Sequence, residues 1–274
     1  MKRLLILFCA MMATGALPAL AEDTTEVVIS PLIEYLNWKE YGGGSAQLRQ
    51  FGERAGLQVS VTGHQPESQF YPRFTFGIVG GGAESHGTST NIYNTLGNNT
   101  PIDGTGTSVA LRLQQDFGWR VTDFASYLEP FVGVGYRFDV RRMRIDDVTG
   151  RSNDNYEEQW STLYSRFGLR GVAKIDSATN LTFEGGATYP FYTINNVDVI
   201  GGGWEKLYPR GHWGGFAEIG MQSGRLRPSI YYEQFKLRQS DPRTVGLSGG
   251  PVQLVSPDTD MTVIGFKLSI ILNN

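Results

Sequence analysis

Apolar and polar side chains alternate along stretches of about ten residues, and the connections between these stretches are alternately short and long. One stretch shows this most clearly, since a single face collects Leu128, Pro130, Val132, Val134, Tyr136, Phe138 and Val140. Its other face carries Glu129, Arg137 and Asp139 beside glycines. Strand side chains point to opposite faces at period two. Such long stretches favour a barrel with lipid outside and a polar lumen over a soluble sandwich, whose strands usually run about five or six residues.

Ten stretches of this kind are predicted, at about 31–41, 54–62, 70–81, 107–119, 126–141, 159–173, 179–192, 212–222, 225–238 and 260–272. The connections after even-numbered strands are short. Those after odd-numbered strands are long and polar, except for the moderate connection at 42–53. An even strand count with short turns at one end and long loops at the other is typical of bacterial outer-membrane barrels. The chain is therefore predicted to be all-β, a closed antiparallel transmembrane β-barrel of about ten strands, with eight or twelve as alternatives.

The first 21 residues have the pattern of a cleaved export signal. Lys2 and Arg3 precede an apolar stretch at 4–15, and Ala19-Leu20-Ala21 fits the small-residue cleavage site. Cleavage there leaves residues 22–274 as one barrel domain; a short membrane anchor is the alternative. The single cysteine, Cys9, lies inside this segment, so the mature chain is predicted to carry no disulfide and no cysteine metal site.

Composition narrows the class further. The hydrophobic share of 40% is too low for a helical membrane protein, and no apolar run near 18 residues follows Ala21. Thirty-five glycines and 12% aromatic residues suit a membrane barrel, in which glycines pack the interior and aromatic rings mark the interfaces. The formal net charge of −3 gives no indication of a nucleic-acid partner.

Aromatic residues cluster near the predicted strand ends, where their amphipathic rings suit the level of lipid headgroups. The pattern predicts two girdles that include Trp38, Tyr41, Tyr71, Trp119, Tyr127, Tyr156, Trp160, Tyr189, Tyr192, Trp213 and Tyr232. The alternative is that some of these rings fill an interior.

Signal, alternation and loop pattern together make the chain resemble the small, monomeric porin-like and OmpA-like outer-membrane β-barrel proteins of Gram-negative bacteria, over nearly the whole mature length. The resemblance implies a location in the outer membrane, contact with its lipid and lipopolysaccharide, and insertion by the barrel-assembly machinery. A small solute or a surface ligand is a further candidate partner. Such barrels usually end in an aromatic residue, whereas residues 270–274 read IILNN; Phe266 and Leu272 are predicted to serve instead.

Charges of both signs turn inward when the apolar face is placed outside. The predicted lumen charge network consists of Arg112, Glu129, Arg137, Arg166, Arg170, Glu184, Glu218, Glu233 and Lys267, with Arg73, Asp116, Asp139 and Arg227 on the same face. Charges away from bulk water persist when they are paired and hydrogen-bonded. Two interpretations stay open, namely ion pairs that plug the lumen and a narrow pore lined by arginines and carboxylates.

Residues for catalysis are sparse, so the protein is predicted to be non-enzymatic, with no catalytic residue, cofactor or metal. His64 falls in a predicted turn, His86 in a long loop and His212 at the external rim without a neighbouring aspartate. Ser85 precedes His86, but sequence neighbours rarely form a nucleophile–base pair, and no G-x-S-x-G elbow occurs. The alternative is an outer-membrane protease or lipid-modifying enzyme with its site at the external rim.

Overall fold

A computed structural model of the chain describes residues 25–42, 45–63, 68–88, 101–121, 127–145, 155–199, 203–247 and 250–272. The β-strands, numbered in chain order, are β1 Glu26–Gly42, β2 Ser45–Thr62, β3 Phe70–Thr88, β4 Pro101–Trp119, β5 Tyr127–Ile145, β6 Asn155–Lys174, β7 Thr179–Val199, β8 Gly203–Leu207, β9 Arg210–His212, β10 Gly214–Ser223, β11 Leu226–Arg238, β12 Arg243–Leu247, β13 Gly250–Leu254 and β14 Asp258–Ile271. No helix within these ranges is long and apolar enough to cross a bilayer. The predicted export signal lies outside the described residues.

Ten of these strands form a closed antiparallel ring. Strands β1 to β7 pair in chain order. The ring then continues from β7 to β10, β11 and β14, and β14 pairs with β1. Closure pairs the two ends of the described chain, with Val28 opposite Ile271 and Tyr41 opposite Asp258. A closed ring leaves no strand edge unpaired, which is the condition for a sheet inside a bilayer. The predicted fold class and the strand number of ten are confirmed.

The strands are longer than the sequence predicts. Strands β3 to β7 run 19 to 21 residues, whereas a bilayer needs only about 9–11. The added residues lie mainly at the end with the long connections, hereafter the loop end; the opposite end, with the short turns, is the turn end. Alternation of apolar and polar residues stops where the apolar band stops, but backbone pairing continues. The predicted loop at 83–106 is consequently strand up to Thr88 and again from Pro101, and β2 already begins at Ser45.

Short strands complete the loop end. β8 continues the sheet beside β7, and β9 pairs with β11. The connection predicted as a long polar loop before the last strand contains the hairpin β12–β13. Arg243 fixes this hairpin to β8, because its Nε lies 3.2 Å from Glu205 Oε2 and its Nη1 donates to the Lys206 carbonyl at 3.1 Å.

The turn end uses compact hairpin turns. Gly224 sits between β10 and β11 with φ of 56°, a left-handed conformation that glycine adopts without strain. In the turn between β6 and β7, the backbone N–H groups of Ala178 and Thr179 each donate to Asp176 Oδ1 at 2.8 Å. The Ala178 N–H, followed by that of Thr179, holds the pKa of the Asp176 carboxyl below its ordinary value.

The outer wall is apolar through the middle of the barrel, as the alternation predicts. Its exposed side chains include Ile33, Leu57, Ile78, Val109, Val132, Leu169, Ile219, Ile230, Ile264, Phe266, Leu268 and Ile270. On β14 the apolar outward positions run from Ile264 to Leu272, which is about 20–25 Å of barrel height at the usual rise and tilt. A continuous exposed apolar belt of this height matches the hydrocarbon core of a bilayer.

A charge placed in this belt should reveal whether lipid surrounds it. Val132 is 62% exposed, and we expect Val132→Lys to lower the free energy of unfolding in lipid by about 2–4 kcal/mol, since the ammonium loses hydration. Thr107→Lys is the matched control, because Thr107 also points outward but lies beyond the belt. Urea titration of barrels refolded into vesicles measures both. Equal stability of the two variants would contradict a lipid-facing Val132.

Candidate functional site: the charged lumen

The lumen is filled by three clusters of ion pairs stacked along the barrel axis. The turn-end cluster comprises Arg73, Asp116, Glu129, Arg166, Arg170 and Glu184. The middle cluster comprises Glu34, Arg54, Arg112, Arg137, Asp139 and Glu233. The loop-end cluster comprises Glu40, Arg141 and Glu158. The middle cluster holds three arginines and three carboxylates, so its charges balance, and at the turn-end cluster Arg120 Nη2 adds a fourth arginine 3.6 Å from Glu129 Oε2.

The turn-end cluster connects five strands, β3 to β7. Glu184 receives Arg73 Nη1 at 2.9 Å and Arg166 Nη2 at 2.5 Å, while Arg170 donates to Glu129 and approaches Asp116. Gly118 makes this packing possible, because a Cβ there would lie 1.8 Å from Glu129 Oε1. At the rim, the Arg120 guanidinium lies 3.7 Å from the ring centres of both Tyr71 and Tyr127, a double cation–π contact.

The middle cluster spans the interior between strands on opposite sides of the ring. Glu34 on β1 accepts hydrogen bonds from Arg54, from Arg112 Nη2 at 2.8 Å and from the Tyr231 hydroxyl at 2.5 Å. Both the Arg54 and the Glu34 side chains are 0% exposed. Arg137 bridges two further carboxylates, with its Nε 2.6 Å from Asp139 Oδ2 and its Nη1 3.1 Å from Glu233 Oε2. This network ties strands on opposite sides of the ring together.

The loop-end cluster places one arginine between two carboxylates and two indoles. Arg141 pairs with both Glu40 and Glu158. Trp38 donates its indole N–H to Glu40 Oε1 at 3.1 Å, and Trp160 donates to Glu158 Oε2 at 2.9 Å. The Arg141 guanidinium stacks on Trp38 at 3.9 Å from the ring centre. All charged members are buried, and the cluster has one more carboxylate than arginines.

An apolar layer inside the lumen lies mainly between the middle and loop-end clusters, and its Tyr231 reaches into the middle cluster. It consists of Leu36, Trp38, Trp160, Tyr164, Tyr231, Phe235, Leu237, Met261 and Val263. The girdle prediction is therefore wrong for Trp38, Tyr71 and Trp160, which point inward and are at most 5% exposed. Trp119, Tyr192, Trp213 and Tyr232 are exposed on the outer wall, as predicted. Small barrels need bulky inward side chains to fill their interior, and rings near strand ends supply them here.

A β-bulge on β7 changes which of its residues face the lumen in the loop-end half. Leu163 faces Tyr192 while the next residue, Tyr164, faces Pro190, so Phe191 is an extra residue on β7. An extra residue shifts the inward face by one position. Past the bulge, Thr193, Asn195 and Val197 are the buried residues that continue the inward face.

All nine residues of the predicted lumen network face the interior, and each makes an ion pair. Seven belong to the turn-end and middle clusters, whereas Glu218 and Lys267 form a separate pair at 2.5 Å, completed by a hydrogen bond from Ser229 to Glu218. Their role in latching or selection stays a prediction. Sequence reasoning missed Glu34, Glu40, Arg54, Arg141 and Glu158. They sit on strands with apolar residues on both faces, or at strand ends where the alternation had faded.

A polar cavity occupies the turn-end half of the lumen. It has a volume of about 130 Å³ and is lined by Ser60, Arg73, Thr75, Gln114, Glu218 and Arg227 among others. A second cavity of about 20 Å³ lies beside Trp160 and Thr162, in the loop-end half. It has room for a single water molecule. The described residues thus leave a polar vestibule at the turn end that ends against the middle cluster.

The two described histidines differ in their partners, since His86 pairs with a carboxylate and His212 does not. His212 contacts Arg238 Nη2 at 3.2 Å and the Trp213 carbonyl at 3.3 Å, with no described carboxylate within 4 Å. His86 lies on β3 and not in a loop; its Nδ1 is 2.7 Å from Asp103 on the outer wall. His64, Asp146 and Asp147 lie outside the described residues. Within those residues, no three potential metal ligands converge.

Comparison with known proteins identifies the fold of this chain but assigns it to no family. No family model and no curated protein matches the chain. Among solved structures, the outer membrane protease OmpT from Escherichia coli aligns with a TM-score of 0.54 at 9% identity, over 92% of this chain and 98% of that chain. The transport unit of the Escherichia coli autotransporter AIDA-I aligns at 0.46 and 10% identity, over 94% and 96%. The toluene transporter TodX of Pseudomonas putida aligns at 0.39 and 10%, over 95% and 92%.

These likenesses lie far below the identity at which an activity could be carried over. Alignment over nearly the whole of both chains, together with the closed ten-strand ring, establishes the architecture. The chain has the fold of the outer-membrane β-barrel proteins.

Proposed function

We propose that the protein is a non-conducting, non-enzymatic barrel of the outer membrane, whose packed lumen makes it a rigid scaffold for its external end. The turn end then faces the periplasm and the loop end the outside, since bacterial barrels have short periplasmic turns and long external loops. The export signal predicted at 1–21 supports this location.

The middle cluster is the observation that carries this proposal. An ion pathway needs a continuous column of water or of exchangeable polar sites. Here Glu34 and Arg54 are fully buried, and Glu233, at 12% exposure, is the most open side chain of the cluster. Above it, the apolar layer around Trp160 and Phe235 would have to be rehydrated as well. Two successive layers that leave room for no more than about one water molecule favour a plug over a narrow pore.

Planar-bilayer recording tests the closed lumen. We expect no stepwise current from the wild type. The triple variant Arg137→Ala, Glu233→Ala, Trp160→Ala should conduct, because it removes side chains from both layers while leaving Asp139 near Arg54 at 3.7 Å. The double variant Arg210→Ala, Asp241→Ala is the control, since this pair is exposed at the loop end. Reproducible wild-type steps comparable with those of the triple variant would contradict the plug and support the narrow pore.

The alternative of a rim enzyme draws on the histidines at the loop end. His86 has a carboxylate partner, with its Nδ1 2.7 Å from Asp103 Oδ1, but the described surroundings of His212 offer an arginine in place of a carboxylate. A general base needs a partner that orients it and accepts charge. Arg238 cannot do this, because a guanidinium only donates hydrogen bonds. Hydrolysis of peptide or lipid substrates by purified protein, abolished in His86→Ala or in His212→Ala, would overturn the non-enzymatic assignment.

A further inference from the structure

The polar cavity in the turn-end half of the lumen extends to the rim of the barrel. Its lining includes Glu26, Thr62 and Tyr127, which lie at the turn-end limits of β1, β2 and β5. With a volume of about 130 Å³, it has room for roughly ten water molecules. A small solute of about ten non-hydrogen atoms therefore fits in the space that these waters would fill.

Arg227 on β11 differs from the other cations in the wall of this cavity. The others are each held in an ion pair with a carboxylate; they are Arg73, Arg112, Arg166, Arg170 and Lys267. Arg227 makes no ion pair with any described residue, and its side chain is half-buried. Since a guanidinium only donates hydrogen bonds, this side chain keeps its donors for an anion from outside the barrel wall.

Two serines continue the row that Arg227 begins. Arg227 pairs with Ser269 on β14, and the Ser269 hydroxyl lies 2.8 Å from that of Ser30 on β1. Both serines line the cavity and are otherwise buried, at 3% and 2% exposure. Each hydroxyl has one proton to donate, and their mutual hydrogen bond uses only one of the two. One serine O–H beside Arg227 is therefore left to donate to a ligand in the cavity.

Uncharged polar side chains extend this row to the next strands. Ser30 pairs with Gln58 on β2, and the neighbouring inward residue, Ser60, shares a hydrogen bond of 3.1 Å with Thr75 on β3. All of them line the same cavity. Hydroxyl and amide groups both donate and accept hydrogen bonds, which suits them to the hydroxyl groups of a solute. The row thus offers a cation and a hydroxyl donor at one end and neutral donors and acceptors at the other.

The carboxylates of the cavity wall do not occupy Arg227. Asp116, Glu184, Glu218 and Glu233 are each paired with other cations. Glu26 makes no ion pair with a described residue, but on β1 it lies four residues from Ser30 toward the turn end. Four residues of a tilted strand span about 10 Å of barrel height. Glu26 therefore lies at the mouth of the cavity and Arg227 deeper, with no ion pair between them.

We propose that this cavity binds the phosphomonoester of a small polyol, with the phosphate at Arg227 and the two serines and the hydroxyl groups along β2 and β3. A guanidinium fork binds two oxygens of an oxyanion at once. A phosphate has a third terminal oxygen that accepts the remaining serine O–H, whereas both oxygens of a carboxylate are taken by the fork. The inference goes beyond the rigid scaffold proposed above and does not depend on the closed lumen. With the turn end in the periplasm, the solute enters from that side.

Isothermal titration calorimetry of the purified barrel in detergent, in a buffer without phosphate, tests this site with glycerol 3-phosphate as the probe. We expect the wild type to bind it, to give no heat of binding with glycerol, and to bind glycerate or inorganic phosphate at least about tenfold more weakly. Arg227→Gln should weaken binding of glycerol 3-phosphate at least about tenfold, because hydrogen bonds from a charged donor contribute more than neutral ones.

The matched control is Arg225→Gln, which removes the same charge two residues earlier, from an exposed side chain that does not line the cavity. It should bind the probe within about twofold of the wild type. Replacing Arg227 leaves no described carboxylate without its partner, and heat-modifiable mobility verifies that both variants fold.

Three results would overturn the proposal: no binding of glycerol 3-phosphate at millimolar concentration, equal losses in Arg225→Gln and Arg227→Gln, or wild-type binding of glycerate or inorganic phosphate as tight as that of the probe. Bilayer recording is a separate measurement. A wild type that binds the probe and conducts contradicts only the plug, and a wild type that does neither contradicts only this site.

Discussion

Replacing Glu34 with alanine is expected to lower the free energy of unfolding by about 3–5 kcal/mol. Its carboxylate accepts hydrogen bonds from Arg54, Arg112 and the Tyr231 hydroxyl at the same time. Without it, two buried guanidinium groups lose their nearest anion, and the desolvation that each suffered remains uncompensated. Urea-induced unfolding in detergent micelles, followed by tryptophan fluorescence, measures the loss.

Asp241→Ala is the matched control for this change. It also removes the carboxylate of a close ion pair, because Arg210 Nη2 lies 2.6 Å from Asp241 Oδ1, but the two side chains are 69% and 82% exposed. Exposed pairs contribute between about 0 and 1 kcal/mol. Comparable losses in Glu34→Ala and Asp241→Ala would show that the middle cluster is hydrated and not the sealed layer that the closed lumen requires.

The second large effect is expected from Trp160→Ala, at about 3–5 kcal/mol. The indole is 2% exposed, meets the Trp38 ring edge-on at 5.0 Å between centres, and donates to Glu158. Truncation opens a cavity and leaves a buried carboxylate with one partner fewer. The same urea titration measures it.

Trp204→Ala serves as the comparison, since Trp204 on β8 is 51% exposed; it should cost less than about 1 kcal/mol. If the girdle prediction had been right for Trp160, its ring would face lipid and both replacements would have similar, small effects. A much larger loss of free energy of unfolding in Trp160→Ala than in Trp204→Ala would place the Trp160 ring in the lumen, where it closes the loop-end half.

The middle cluster and the apolar layer together favour a rigid, closed lumen over a transport pathway. The charged layer needs complete pairing, and the apolar layer excludes the water that would separate the pairs. Each therefore stabilises the other, and loss of either is expected to hydrate both. What the protein presents to its surroundings is then the outer wall and the loop end, where the β12–β13 hairpin lies.

The alternation alone predicted the barrel, a count of about ten strands and the direction of most inward charges. Strand β5 shows why: Val132, Val134 and Phe138 occupy one parity and Glu129, Arg137 and Asp139 the other, so a single face can meet lipid. The chain's own pattern likewise placed Arg166 and Glu184 on the inner face, although their pairing at 2.5 Å depends on how β6 lies against β7.

Strand β1 could not be interpreted in this way, because both of its faces are largely apolar. Ile33 and Tyr35 occupy one parity, and Leu36 and Trp38 the other. Only the pairing of β1 with β14, which closes the ring, decides that Leu36, Trp38 and Glu34 turn inward. Register between strands distant in sequence is a property of the whole ring, and one extra residue such as Phe191 shifts the face of everything beyond it. Local periodicity thus determined that a barrel forms, while closure decided which side chains meet inside it.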